Sequence, residues 1–168
     1  MEITLLSVPY HLGREGAGMA LGPVRYLESG LAARLAARGH DVEVVEVRRP
    51  TPFEDELRAV VAVNEALAEA VHAAASRGAL PVVAGGNCNV VLGMTAGLGA
   101  AETAGVWFDA HGDYNTPATT PRGFLDGMPL ALACGVAPPE AGVQAAGDAG
   151  DPRGRGAEGR RGGKGWRR

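Results

Sequence analysis

The sequence predicts an α/β domain: a mostly parallel sheet with helices on both faces, three layers in all. Short β-branched runs alternate with longer stretches of helical periodicity through residues 1–134, and glycine or polar residues follow each run where a strand would end. The chain has 168 residues, 46% of them hydrophobic, which suits one packed core and is too few for two large domains.

The elements follow in chain order. Residues 2–8 (EITLLSV) are apolar and β-rich, and Pro9 stops them. A glycine-rich loop, HLGREGAGMALG, leads to Pro23 at a first helical position, with Val24, Leu27, Leu31 and Leu35 at helical spacing and Gly39 as the stop. Residues 42–47 (VEVVEV) read as a strand. Residues 54–76 read as a second helix, with Leu57, Val60, Val61, Asn64, Leu67 and Val71 along one stripe and Glu54-Asp55-Glu56 at its positive dipole end. Residues 80–84 form a third strand ending at Gly85-Gly86, and residues 90–98 a short helix weakened by Gly93 and Gly97. Residues 105–109 are expected as a fourth strand, 110–124 as a polar loop and 126–134 as the start of another helix. In such sheets ligands bind beyond the carboxyl ends of the strands, which points to Gly85 and Asp109.

Charge divides the chain. Residues 1–134 hold 9 basic and 15 acidic side chains, whereas residues 135–168 hold 7 and 4 together with 10 glycines. The second stretch has too little bulky apolar surface to offset its ordering entropy, so residues 1–134 are expected to be the folded unit and 135–168 a disordered Gly/Arg-rich tail. The net charge of −3 gives nucleic acid or an anionic membrane no electrostatic hold. Apolar runs are too short to span a bilayer, and the N-terminus lacks a basic leader. Two cysteines without a CxxC spacing suit reduced thiols in the cytoplasm.

Three stretches carry chemistry. Asp109-Ala110-His111-Gly112-Asp113 places two carboxylates and an imidazole within five residues at a strand's end, a donor set for a hard or borderline divalent ion; turn residues around a gap-filling histidine are the structural alternative. Gly85-Gly86-Asn87-Cys88-Asn89 lets backbone approach a ligand, and Cys88 is a ligand, a reactive thiol or a buried filler. The loop of residues 114–129 supplies Asn115, Arg122 and Asp126 beside the acidic cluster. His40 reads as an exposed turn residue, His72 as a helix residue, and His11 lies near the expected site.

GGNCNVVLG followed by WFDAHGDYNTPATTPRGFLDGMPLA resembles the arginase/agmatinase/formiminoglutamase family of ureohydrolases, over residues 3–134 and hence the N-terminal half of such an enzyme. The resemblance implies a three-layer α/β/α fold with two manganese ions at the strand ends, where a bridging hydroxide attacks a guanidinium or formimino carbon. It implies that Asp109 bridges both ions, His111 binds one and Asp113 the other, and that Asn115 orients the substrate. Cys88 stands where the family has a metal-binding histidine, which favours zinc or iron. Asp126 stands where arginases have a histidine near the leaving amine, and is the candidate catalytic acid or base. Arg122 stands where arginases have a serine before the glycine, and either clasps a substrate carboxylate or faces solvent. These departures imply a substrate other than arginine.

The family's second ligand motif, SxDxDxxDP, has no counterpart after residue 134 beyond a faint echo at Asp148-Ala149-Gly150-Asp151-Pro152. The loss of periodicity after Ala133 is what reading GC-rich coding DNA out of frame would produce. The expectation is therefore a metal-dependent hydrolase of guanidino or amidino C–N bonds, incomplete in this chain, that takes a small-molecule substrate and is free to form a homo-oligomer. The alternative is an inactive truncated fragment that binds at most a metal ion or a partner chain. A phosphoesterase is disfavoured because no basic phosphate cradle is present.

Overall fold

The computed structural model describes residues 1–49, 53, 55–99, 101 and 103–136; the expected tail, apart from Gly135 and Val136, lies outside them, as does the Asp148–Pro152 echo. Strand β1 (Glu2–Val8) is followed by a two-residue hairpin, β2 (Tyr10–His11) and β3 (Arg14–Glu15), then helices α1 (Leu21–Glu28) and α2 (Leu31–Ala36). Next come β4 (Asp41–Glu46), α3 (Glu56–Ser76), β5 (Leu80–Gly85), α4 (Val90–Leu98) and α5 (Pro129–Ala133).

The sheet runs β4-β1-β5, parallel throughout, with Leu5 opposite Val44 on one side and Val82 on the other. The chain steps from β1 outward to β4 and then back past β1 to β5. Right-handed crossovers in opposite directions put α1 and α2 on one face and α3 on the other. Being central, β1 is buried from Ile3 to Val8. Leu6 and Val8 point into a cluster with Val63, Leu67 and Val71 of α3, while alternation turns the fully buried Leu5 to the opposite face. Each such side chain contributes about 1.5–3 kcal/mol on burial.

Local chemistry sets the boundaries. Asp55 caps α3, its Oδ1 accepting from Arg58 N at 2.7 Å. The single helix expected from residue 23 to 38 is broken by Gly30 at φ +80°, which turns the chain between α1 and α2. The glycines of α4 do more than weaken it. A Cβ on Gly93 would lie 2.7 Å from Asn64 O, and one on Gly97 2.6 Å from Ala68 O, so these two positions let α4 press against α3. Asn64 locks the crossing: its Oδ1 accepts from Gly93 N at 2.8 Å and its Nδ2 donates to Val60 O at 2.9 Å. This explains a polar residue in the apolar stripe.

One expected element does not form. Residues 105–109 form no strand, with Val106 80% and Phe108 93% exposed and Trp107 half-buried. The run is apolar, yet among the described residues no strand lies alongside to exchange hydrogen bonds. His40, expected to be exposed, is half-buried, and its Nδ1 has no partner among the described residues. Among those residues no helix is long and apolar enough to cross a membrane.

Candidate metal centre

After β1 the chain departs toward the α1 face, and after β5 it departs into α4 on the α3 face. Adjacent strands whose continuations part in this way leave a crevice beyond their carboxyl ends. The loop from Gly85 to Asn89 fills the β5 side of that crevice. Gly86 has no room for a side chain, because a Cβ there would collide with the carbonyl of Tyr10. This contact draws the β1 and β5 exits together.

Asn87 and Asn89, on either side of Cys88, are buried and turned toward Asp126, which is itself only 5% exposed in a 3₁₀ turn spanning Leu125–Gly127. Asn87 Nδ2 donates to Asp126 Oδ2, and Asn89 donates to Asp126 Oδ1 through Nδ2 at 2.8 Å and its backbone N at 3.2 Å. Asn87 Oδ1 also accepts from Leu12 N at 3.0 Å, which ties in the loop after β1, where Leu12 adopts φ +46°. Three segments far apart in the chain are thus pinned around one carboxylate. Burial raises the pKa of Asp126, and the asparagine donors oppose that rise.

This scaffold presents Cys88 to the acidic motif. Its Sγ lies 3.9 Å from Asp109 Oδ2, and single donor atoms of Cys88, Asp109 and Asp113 all fall within 4.8 Å of one another. Asp109 curls the chain by accepting His111 N at 2.9 Å on Oδ1, and this bond lowers its pKa. Asp113 sits at φ +44°, the left-handed region that a tight curl requires. Its carbonyl accepts from Leu130 N at 3.0 Å, which anchors the motif to α5. The Cys88 thiol is pushed up to about 11, first by burial and then by the Asp113, Asp126 and Asp109 carboxylates. Among the described residues no lysine or arginine pairs with these three aspartates.

Of the residues singled out in the sequence, Cys88, Asp109 and Asp113 converge. His111 does not join them: its side chain is 83% exposed, with Nδ1 3.4 Å from Asp109 Oδ1. Asn115 lies on the next turn, its N bonded to Gly127 O at 3.0 Å and its Oδ1 accepting from Thr119 Oγ1 at 3.3 Å. Arg122 is exposed on the same loop. Asn87 and Asn89, which place Cys88, were not among the expected site residues. Two amides flanking a cysteine after Gly-Gly were the available signal.

A divalent ion fits this donor set. Tetrahedral zinc, with sulfur at ~2.3 Å and oxygen at ~2.0–2.2 Å, needs donors about 3.5 Å apart, a small contraction of the observed spread. Uncompensated negative charge at the strand ends favours the same class of ligand.

The arginase from Bacillus caldovelox is 35% identical over 149 residues, 82% of this chain and 50% of that protein. Its crystal structure superposes with a TM-score of 0.75 at 34% identity, covering 88% of this chain and 53% of that one. The arginase of Entamoeba histolytica, solved in complex with L-ornithine, superposes with a TM-score of 0.65 at 32% identity, covering 82% of this chain and 50% of that one. The chain spans about half the length of the curated relatives it matches. A family profile described as the arginase family matches residues 1–157, and with the parallel sheet and its flanking helices this establishes that the chain belongs to the arginase family.

Proposed function

We propose that residues 1–134 carry one wall of a metal-dependent ureohydrolase-type centre that hydrolyses a C–N bond of a guanidino or amidino compound. The observation that carries this is the convergence of Cys88, Asp109 and Asp113 within 4.8 Å, in a chain of this family. These three would hold the metal, and His111, on the solvent side of Asp109, is the further donor for a second ion. Manganese in a pair is the family's type. Bound there, such ions supply a nucleophile from water at neutral pH and draw charge from the carbon under attack.

The remaining residues bind and orient. Asn115 offers an amide and Arg122 a guanidinium at the rim, where they suit the polar end of an amino-acid-derived substrate. The relatives are named arginases, and one is solved with L-ornithine, which favours a guanidino substrate bearing a carboxylate. The geometry supports a different role for Asp126 than the acid or base expected from the sequence. Its oxygens are taken up by the two asparagines, so it positions the Cys88 loop.

Urea release from arginine, agmatine and formimino compounds, with the chain loaded with excess manganese or zinc, tests the proposal. Turnover lost in Asp109→Asn supports it. A second function, metal binding without turnover, is favoured by the count of three converging donors among the described residues. Bound metal with no urea from any compound would establish that alternative.

A further inference from the structure

The strongest unabsorbed feature is the mismatch between a sulfur donor and the two-ion manganese centre typical of the family. We infer that Cys88, Asp109 and Asp113 form a thiolate centre that selects a zinc-class ion over manganese. The inference rests on the metal-centre proposal above and specifies its ion.

The case for Cys88 as a donor is that the fold holds it in place. The loop around it is restrained by three hydrogen bonds to Asp126 and one to Leu12 N, and Gly86 leaves no slack against the Tyr10 carbonyl. A cysteine used as a small apolar filler sits among hydrocarbon. This one is only half-buried, is absent from the hydrophobic core cluster, and lies 3.9 Å from a carboxylate oxygen. Sulfur selects zinc, cobalt(II) or iron over manganese, which prefers an all-oxygen or oxygen–imidazole shell.

Binding is balanced as follows: the ion gains a Cys88 Sγ bond, and the thiol proton leaves to solvent. The ligands then carry three negative charges against the ion's two positive charges.

Cobalt(II) titration of the full chain under reducing conditions tests this without reference to turnover. The expected result is a near-ultraviolet sulfur-to-cobalt charge-transfer band that grows to saturation as cobalt is added. Zinc should abolish the band, and an equal concentration of manganese should leave it. Cys88→Ser should lose the band, Cys134→Ser should keep it, and Cys88→His should bind without the band and shift preference toward manganese. Metal binding by that last variant shows that substitution at this position leaves the fold intact. Two manganese ions bound with equal affinity in the parent and in Cys88→Ser would overturn the thiolate centre and leave the hydrolase proposal standing. So would cobalt binding without the band, or a band lost only in Cys134→Ser. No binding of cobalt, zinc or manganese would overturn both.

Discussion

Residues 80–85 and residues 105–109 have similar sequences, LPVVAG and GVWFD, and different fates. The first pairs with β1 from Ile3 opposite Leu80 to Val8 opposite Gly85 and becomes β5. The second is also apolar, yet Phe108 stands 93% exposed. β-Propensity specifies a backbone conformation, but a strand also needs a neighbour to take its hydrogen bonds. The first segment is held by packing. The second has Trp107 half-buried and Val106 and Phe108 exposed, and is tied at its end, where Asp109 meets Cys88 and Asp113 is anchored to α5.

If this contrast is right, truncation in the two regions has very different costs. Leu67→Ala, in the fully buried cluster beneath β1, should destabilise the chain by about 2–5 kcal/mol. Phe108→Ala should change it by less than about 0.5 kcal/mol. Urea unfolding followed by far-ultraviolet circular dichroism measures both. A large loss from Phe108→Ala would mean that the 105–109 segment is covered in solution.

Glycines sharpen the contrast. Gly97→Ala drives a methyl group to within 2.6 Å of Ala68 O and Val71 Cβ at the α3–α4 crossing, and overpacking of this kind costs about 1–3 kcal/mol. A Cβ on Gly112 would meet nothing within 4 Å among the described residues, so Gly112→Ala should leave the unfolding midpoint unchanged. Equal effects at the two sites would break the comparison.

Legibility in the sequence follows the same division. Residues 2–8, 80–84 and 90–98 were readable because pattern and packing agree there, and the acidic run at residues 54–56 marked the start of α3 to within two residues, Asp55 proving to be its cap. The hairpin at Tyr10–Glu15 was hidden because two-residue strands leave no periodicity, and the α1–α2 break was hidden by leucines that keep helical spacing across Gly30. The false strand at 105–109 arose because a short apolar run says nothing about a partner. At the centre, Asp109, Asp113 and Cys88 were visible as chemistry. The lock that unites them was not, since Asn87 and Asp126 are 39 residues apart and meet only in the folded chain.

That lock gives the next expected effect. Asp126→Asn replaces an acceptor of three hydrogen bonds with an amide whose NH₂ faces the same donors, and the Cys88 loop should loosen. Outer partners of this kind typically govern 10–100-fold in metal affinity, so cobalt or zinc should bind about that much more weakly. Isothermal titration is the measurement. Unchanged affinity would show that the asparagine clamp does not position the thiol.

The last effect is a rate. A thiol pushed up to about 11 holds on the order of one thiolate in a thousand at pH 8, against roughly a quarter for an unperturbed cysteine. In metal-free protein, iodoacetamide should therefore label Cys88 about 200-fold more slowly than a free-cysteine peptide, with the rate climbing about tenfold per pH unit toward pH 10. The sign follows from the neighbours: burial and the carboxylates of Asp113, Asp126 and Asp109 all disfavour a second negative charge beside them. Asp113→Asn removes one of those charges and should raise the labelling rate at pH 8, as followed by peptide mass spectrometry. A rate at pH 8 equal to the free peptide's would place the thiol away from the carboxylates, and with it would go the convergence that separates the anchored end of this segment from its exposed Val106 and Phe108.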